Sequence, residues 1–120
     1  MSTRVLVIDD DANIREIVRI MLKDYEVIEA SNGREAVILY KNLKPDIVLM
    51  DISMPEMDGV EATREILKIN PNAIVIGLTA FSRTRGNELI NAGAKDIISK
   101  PFTRKSLKEM IEKFVAKSVT

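Results

Sequence analysis

Apolar residues fall into two rhythms along this chain, and the rhythms alternate. Short runs rich in β-branched residues read as strands: Arg4–Ile8, Glu26–Ala30, Asp46–Met50, Ala73–Leu78 and Asp96–Ser99. Between them lie longer stretches with apolar residues every three or four positions. Ile14, Ile17, Val18, Met21 and Leu22 mark one stripe of a helix over Ala12–Asp24. Leu107, Met110, Ile111, Phe114 and Val115 mark another over Arg104–Lys117, with Thr103 as its N-cap. Gly33–Leu43 and Asp58–Ile69 are amphipathic too, and Pro45 and Pro71 punctuate their ends. Thr84–Ala92 has the weakest helical character, because it contains Gly86 and is followed by Gly93.

Five strands alternating with five helices predict an α/β fold, a (βα)5 parallel sheet covered on both faces. Right-handed crossovers leave few topologies. Val5–Ile8 and Ile47–Met50, the strands with least polar interruption, are expected at the centre. Ligands of such sheets bind outside the carboxyl ends of the strands. There the sequence places Asp9-Asp10-Asp11 after the first strand, Asp51 after the third, Thr79 after the fourth and Lys100-Pro101 after the fifth.

Composition narrows the chemistry available at that edge. The 120 residues suffice for one domain, expected to span 1–120. With 18 basic and 18 acidic side chains the net charge is zero, which speaks against a strongly basic nucleic-acid-binding domain. The zero conceals a division. Residues 1–60 hold 12 acids against 7 bases, a net of −5; residues 61–120 hold 6 acids against 11 bases, a net of +5. The absence of Cys excludes disulfides, thiolate metal sites and a cysteine nucleophile, and the absence of His excludes a Ser-His-Asp triad and histidine-ligated zinc. No apolar run exceeds six residues, far short of the ~20 that a membrane-spanning helix needs. The N-terminus reaches carboxylates too early for a signal peptide, so a cytoplasmic protein is the expectation.

Clustered carboxylates without His or Cys favour a hard divalent cation such as Mg²⁺. An aspartate also serves as a nucleophile that forms an acyl phosphate. Phosphoryl transfer asks for charge neutralisation and alignment, which Mg²⁺, Lys100 and the Thr79 hydroxyl together can supply.

The segments VLVIDDDA, IVLMDISMPEMDG, GLTA and KPF, in this order and each at a strand end, resemble the receiver domain of two-component response regulators, the CheY-like family. The resemblance covers essentially the whole chain. It implies a flavodoxin-like strand order of 2-1-3-4-5. It also implies roles: Asp51 as phosphoacceptor, Asp10 as direct Mg²⁺ ligand, Asp9 acting mainly through metal-bound water, and the Ser53 carbonyl as a further ligand. Thr79 and Lys100 would each meet a phosphoryl oxygen. Lys100–Pro101 would be the family's cis peptide, and Met54-Pro55 with Asp58-Gly59 would form the loop after Asp51.

Two positions depart from the family pattern. Ile97 stands three places before the lysine, where the family often has an aromatic switch residue. Two places after Asp51 and Thr79, where the family tunes dephosphorylation, stand Ser53 and Phe81. Phe81 fits either a shield over the acyl phosphate or a partner surface.

The implied function is a signalling switch. A sensor histidine kinase, a phosphotransfer protein or a small phosphodonor phosphorylates Asp51, and the Thr79–Ala92 region shifts. A target then docks on the face formed by the fourth helix, fifth strand and fifth helix, with Arg83, Arg85, Lys95, Arg104 and Lys105 steering acidic partners. The resemblance implies self-catalysed phosphotransfer and dephosphorylation rather than turnover of an external substrate, and no direct contact with nucleic acid or membrane. A monomer is expected, with phosphorylation-dependent dimerisation as the variant. Taken alone, an acidic strand end is ordinarily a solvated loop or a helix cap, and Asp11 is expected to be such a cap. Other readings are a phosphorylation-independent interaction module, a receiver fragment of a longer regulator, and an aspartate-nucleophile phosphatase. The last usually carries a second acid where Ser53 stands. No G-x-G-x-x-G or P-loop follows the first strand to suggest dinucleotide binding.

Overall fold

The structure is a computed structural model that describes residues 3–52, 54, 57–79 and 83–119, the side chains of 83–85 and 116–119 excepted. Strands and helices alternate: β1 (Arg4–Ile8), α1 (Ala12–Met21), β2 (Glu26–Ala30), α2 (Gly33–Leu43), β3 (Ile47–Asp51), α3 (Gly59–Ile69), β4 (Val75–Thr79), α4 (Arg83–Asn91), β5 (Asp96–Ser99) and α5 (Arg104–Val119). The strands form one parallel sheet in the order β2-β1-β3-β4-β5. This is the flavodoxin-like doubly wound arrangement, with β1 and β3 inside the sheet as their apolar content predicted.

Side-chain parity divides the core into two layers. Leu6, Ile8, Val48 and Met50 pack into the layer that includes Ala36 and Tyr40 of α2, Ile66 of α3 and Leu89 of α4. Val5, Val7, Ile47, Leu49, Ile76 and Leu78 pack with Val18, Leu22, Leu107 and Ile111 of the α1 and α5 segments. Val5–Ile8 and Ile47–Met50 have no exposed surface, and each such large apolar side chain contributes about 1.5–3 kcal/mol through burial. The same parity continues to the strand ends, so Asp9 and Asp51 follow Val7 and Leu49 to one side of the sheet.

Helix starts are set by side-chain caps. Asp11 accepts from the Asn13 N–H, Asn32 from Glu35, and Asp58 from Glu61. At α5 the Thr103 hydroxyl accepts from the Ser106 N–H at 3.0 Å, as its sequence position predicted.

Several boundaries differ from the periodicity. α1 ends at Met21 rather than Asp24, because the buried Leu22 closes on the Val18 carbonyl and accepts from the Tyr25 N–H to turn the chain. Ile17 lies at the edge of the α1 stripe and remains 43% exposed, while Val18 and Leu22 at its centre are fully buried. β3 starts after Asp46, whose N–H goes to the Arg4 carbonyl and whose carboxylate accepts from the Arg4 N–H. β3 and β4 extend one residue further than read, so Asp51 and Thr79 are themselves ladder residues, paired with Leu78 and Ser99. No helix among the described residues is long and apolar enough to cross a membrane.

Candidate functional site

The β1–α1 turn begins as soon as β1 leaves the sheet. The Asp9 N–H still bonds the Ala30 carbonyl of β2 at 3.2 Å, and its Oδ1 accepts from the Asp11 N–H at 2.9 Å. That bond folds the turn back and leaves Asp10 exposed between two fixed neighbours. Asp9 is 1% exposed and Asp51, on the adjacent strand, 7%. Carboxylate oxygens of Asp9, Asp10 and Asp51 lie within 4.8 Å of one another.

Lys100 enters from the end of β5. Its Nζ donates to Asp9 Oδ2 at 2.7 Å and reaches Asp51 Oδ1 at 3.4 Å. Its backbone N–H bonds the Thr79 carbonyl at 2.8 Å, which fixes it beside the end of β4, and the Lys100–Pro101 peptide is cis. Thr79 is 7% exposed. Two buried carboxylates thus share one ammonium, with the exposed Asp10 as a third acid beside them. Burial, then the adjacent Asp9 charge, push the Asp51 carboxyl up to about 6 in spite of Lys100. Burial opposes the charge on Lys100, but the hydrogen bond to Asp9 and the charges of Asp51 and Asp9 outweigh it and hold the ammonium above its ordinary range. An all-oxygen donor set with uncompensated negative charge fits a hard divalent cation.

The start of α3 is tied to the end of β3. Gly59 donates its N–H to the Ile52 carbonyl at 2.8 Å, and a Cβ on Gly59 would run into the Asp51 carbonyl oxygen. Only glycine lets α3 begin so close to the backbone of β3. Ser53, Pro55 and Phe81, with the side chains of Arg83 and Arg85, lie outside the described residues.

The residues expected on the partner face do not share one environment. Lys95 is exposed at the turn into β5, and Lys105 is exposed on α5. Arg104 instead turns toward the end of α1, donating to the Met21 carbonyl at 3.2 Å and to Asp24 at 3.5 Å. Ile97 is half-buried beside two glycines. It pairs with Gly77 in the sheet, and its Cδ1 lies where a Cβ on Gly86 of α4 would come within 2.6 Å.

Among residues absent from the sequence reading, Arg15 reaches the site, and Glu29 and Arg19 stand behind it. Arg15 of α1 donates to the Asp9 backbone carbonyl at 2.7 Å and, from Nε, to Glu29 Oε1 at 3.0 Å. Glu29 Oε2 accepts from Arg19 Nε at 2.9 Å. The signal was present in the spacing. Arg15 and Arg19 stand one helical turn apart, and Glu29 interrupts the apolar second strand next to the acidic turn.

Comparison with known proteins agrees with this geometry. The family model described as response regulator receiver domain matches residues 5–112. The chain is 51% identical to the chemotaxis protein CheY of Thermotoga maritima, over 94% of this chain and 98% of that protein. It is 44% identical to the chemotaxis protein CheY of Bacillus subtilis, over 94% and 98%. Among solved structures, the CheY-like receiver domain protein of Methanospirillum hungatei superposes with a TM-score of 0.91 at 28% identity, over 98% of this chain and 96% of that one. The receiver domain of the sensor histidine kinase PA1611 of Pseudomonas aeruginosa, solved with a magnesium ion in its active-site cleft, gives 0.89 at 28% identity, over 97% and 99%.

Proposed function

Because the chain belongs to the response regulator receiver family, a family of phosphorylation-activated signalling switches rather than classical enzymes, we propose that Asp51 is its phosphoacceptor. The observation that carries this reading is the convergence of Asp9, Asp10 and Asp51 within 4.8 Å, with Lys100 bridging Asp9 and Asp51. An Asp51 oxygen attacks the phosphorus of a phosphohistidine on a partner kinase or phosphotransfer protein, or of a small phosphodonor. The new O–P bond forms as the bond to the leaving group breaks, and the leaving group departs with the electron pair. Asp9 and Asp10, with Asp51 and the Ser53 carbonyl, would hold Mg²⁺. When bound, Mg²⁺ neutralises phosphoryl charge and aligns the group for in-line displacement.

Lys100 then exchanges Asp51 for a phosphoryl oxygen, and the Thr79 hydroxyl takes another. The modification adds roughly −1.5 to −2 charges at the end of β3, next to β4 and α4. α4 carries Gly86 and packs on the sheet through Ile97 and Leu89, so it is the element this charge biases toward a partner-binding state. Lys95, Lys105, Arg83 and Arg85 would steer an acidic target to that side. In this reading residues 1–120 form a single receiver unit that acts in the cytoplasm, as a monomer before phosphorylation.

Exposure to acetyl phosphate with Mg²⁺ tests the assignment. Intact mass should show one phosphoryl adduct on the wild type and none on Asp51→Asn. An adduct of equal yield on the variant refutes it.

A further inference from the structure

We infer that Arg15 is a positioning residue for the acidic pocket, a strut that fixes the Asp9–Asp10 peptide through the Asp9 carbonyl while Glu29 fixes the strut. The inference rests on the phosphoacceptor reading above and adds residues that touch neither phosphate nor metal. Every polar group of Asp9 has a partner. Its N–H is held by Ala30, its carbonyl by Arg15, its Oδ1 by Asp11 and its Oδ2 by Lys100. Of these four, the bond from Arg15 acts on the peptide that leads to Asp10. Rotation of that peptide would move the Asp10 carboxylate relative to those of Asp9 and Asp51. Asp10 is the exposed member of the cluster, so its place depends on the backbone beneath it.

The chemistry of the strut is specific. Arg15 is 17% exposed and Glu29 29%, and the two bonds leave the guanidinium in different directions, one to a carbonyl and one to a carboxylate. A planar fork with fixed donors satisfies both; a lysine ammonium on a flexible stem does not. Arg19 donates to the second oxygen of Glu29. Its hydrogen bond, with that of Arg15, outweighs burial and holds the Glu29 carboxyl below its ordinary range, so Glu29 stays charged.

Charge and position predict opposite outcomes, which makes the inference testable. Arg15 places a positive charge beside a cation site, so by charge alone Arg15→Met should tighten Mg²⁺ binding. As a strut, its loss should weaken it. Mg²⁺ affinity is measured by calorimetry on the wild type, Arg15→Met, Arg15→Lys and Glu29→Gln, with urea unfolding in chelator recording the stability of each. The expected result is roughly tenfold weaker Mg²⁺ binding in both Arg15 variants, in the range typical of residues that orient metal ligands, and a smaller loss in Glu29→Gln. Saturating Mg²⁺ should largely restore the rate of phosphoryl uptake. In metal-free protein, amide exchange at Asp10 and Asp11 should accelerate.

Unchanged or tighter Mg²⁺ binding in folded Arg15→Lys and Arg15→Met overturns the strut, as does a loss of stability with no change in affinity or exchange. Those results leave the phosphoacceptor reading intact. That reading fails separately, and takes the strut with it, if the wild type neither binds Mg²⁺ nor takes up phosphate.

Discussion

Lys100 gives its shorter hydrogen bond to Asp9 and not to Asp51: Nζ lies 2.7 Å from Asp9 Oδ2 and 3.4 Å from Asp51 Oδ1. The cation is anchored on the acid that the turn already fixes, and only leans toward the acid assigned the chemistry. Asp51 is therefore the less compensated of the two buried carboxylates, which agrees with its raised pKa.

Removing Lys100 should destabilise the metal-free protein. Lys100→Met leaves Asp9 and Asp51 facing each other without a counter-charge, at a cost of roughly 1–3 kcal/mol at neutral pH. Mg²⁺ should recover more stability in this variant than in the wild type, because it takes over the neutralisation. Thermal unfolding in chelator and in excess Mg²⁺ measures both. A variant as stable as the wild type in chelator contradicts the account.

The pH dependence of stability should carry the signature of Asp51. Its carboxyl ionises at about 6 when folded against an ordinary value of 3.8, so between these values the folded state binds more protons than the unfolded state. This contribution is fully present below pH 3.8 and is lost as pH rises through about 6. Above that window, ionised Asp51 costs on the order of 2–3 kcal/mol in metal-free protein. Asp51→Asn should therefore stabilise the chelated protein most at pH 7.5, above the window from 3.8 to about 6, and distinctly less at pH 4.5, near its lower end. Equal effects of the substitution at both pH values would exclude the assignment.

Gly59→Ala should damage both fold and site. The added Cβ meets the Asp51 carbonyl oxygen and the Ile52 backbone, which cannot yield as a flexible side-chain tip can. A loss of about 2–4 kcal/mol is expected, at or above the usual overpacking range because backbone must move. Weaker Mg²⁺ binding should accompany it. Denaturant titration and calorimetry are the measurements, and a neutral substitution would show that α3 can retreat without disturbing β3.

Gly86→Ala should behave differently, because its Cβ meets only the Cδ1 tip of Ile97. Better helix propensity, about 1 kcal/mol for Ala over Gly, then competes with crowding. Ile97→Val removes Cδ1 and should turn Gly86→Ala from near-neutral to stabilising, with a coupling of roughly 0.5–1 kcal/mol in a double-mutant cycle. Additive effects would show that Ile97 does not seat α4.

Most of the architecture was legible because each layer of the sheet demands its own parity. Residues such as Val7 and Leu49 pack on one face, and Leu6 and Val48 on the other. The ends of elements were less legible, since they depend on tertiary partners. Asp46 leaves the strand pattern to bridge Arg4, and α1 stops where Leu22 is buried and Asp24 meets Lys108 at 3.2 Å. The acidic set could be read because each member ends a strand. The preference of Lys100 for Asp9, and the strut from Arg15, could not, because they join atoms 91 and 6 residues apart through directions that only the folded backbone sets. The bonds of Arg104 to Met21 and Asp24 were equally out of sight, because its position in the sequence says nothing of how its side chain lies against the end of α1.

The ends of the sheet also differ in what they allow an engineer to do. Asp9, Asp10, Asp51, Thr79 and Lys100 all lie at its carboxyl end, while the connections at residues 22–25, 44–46, 70–74 and 92–95 lie at the other and contain none of them. The chain can be opened, labelled or given new termini within 70–74 without cutting any segment that carries an acid or the lysine. A dye or affinity handle placed there would report on the molecule while leaving the acidic end of the sheet unobstructed.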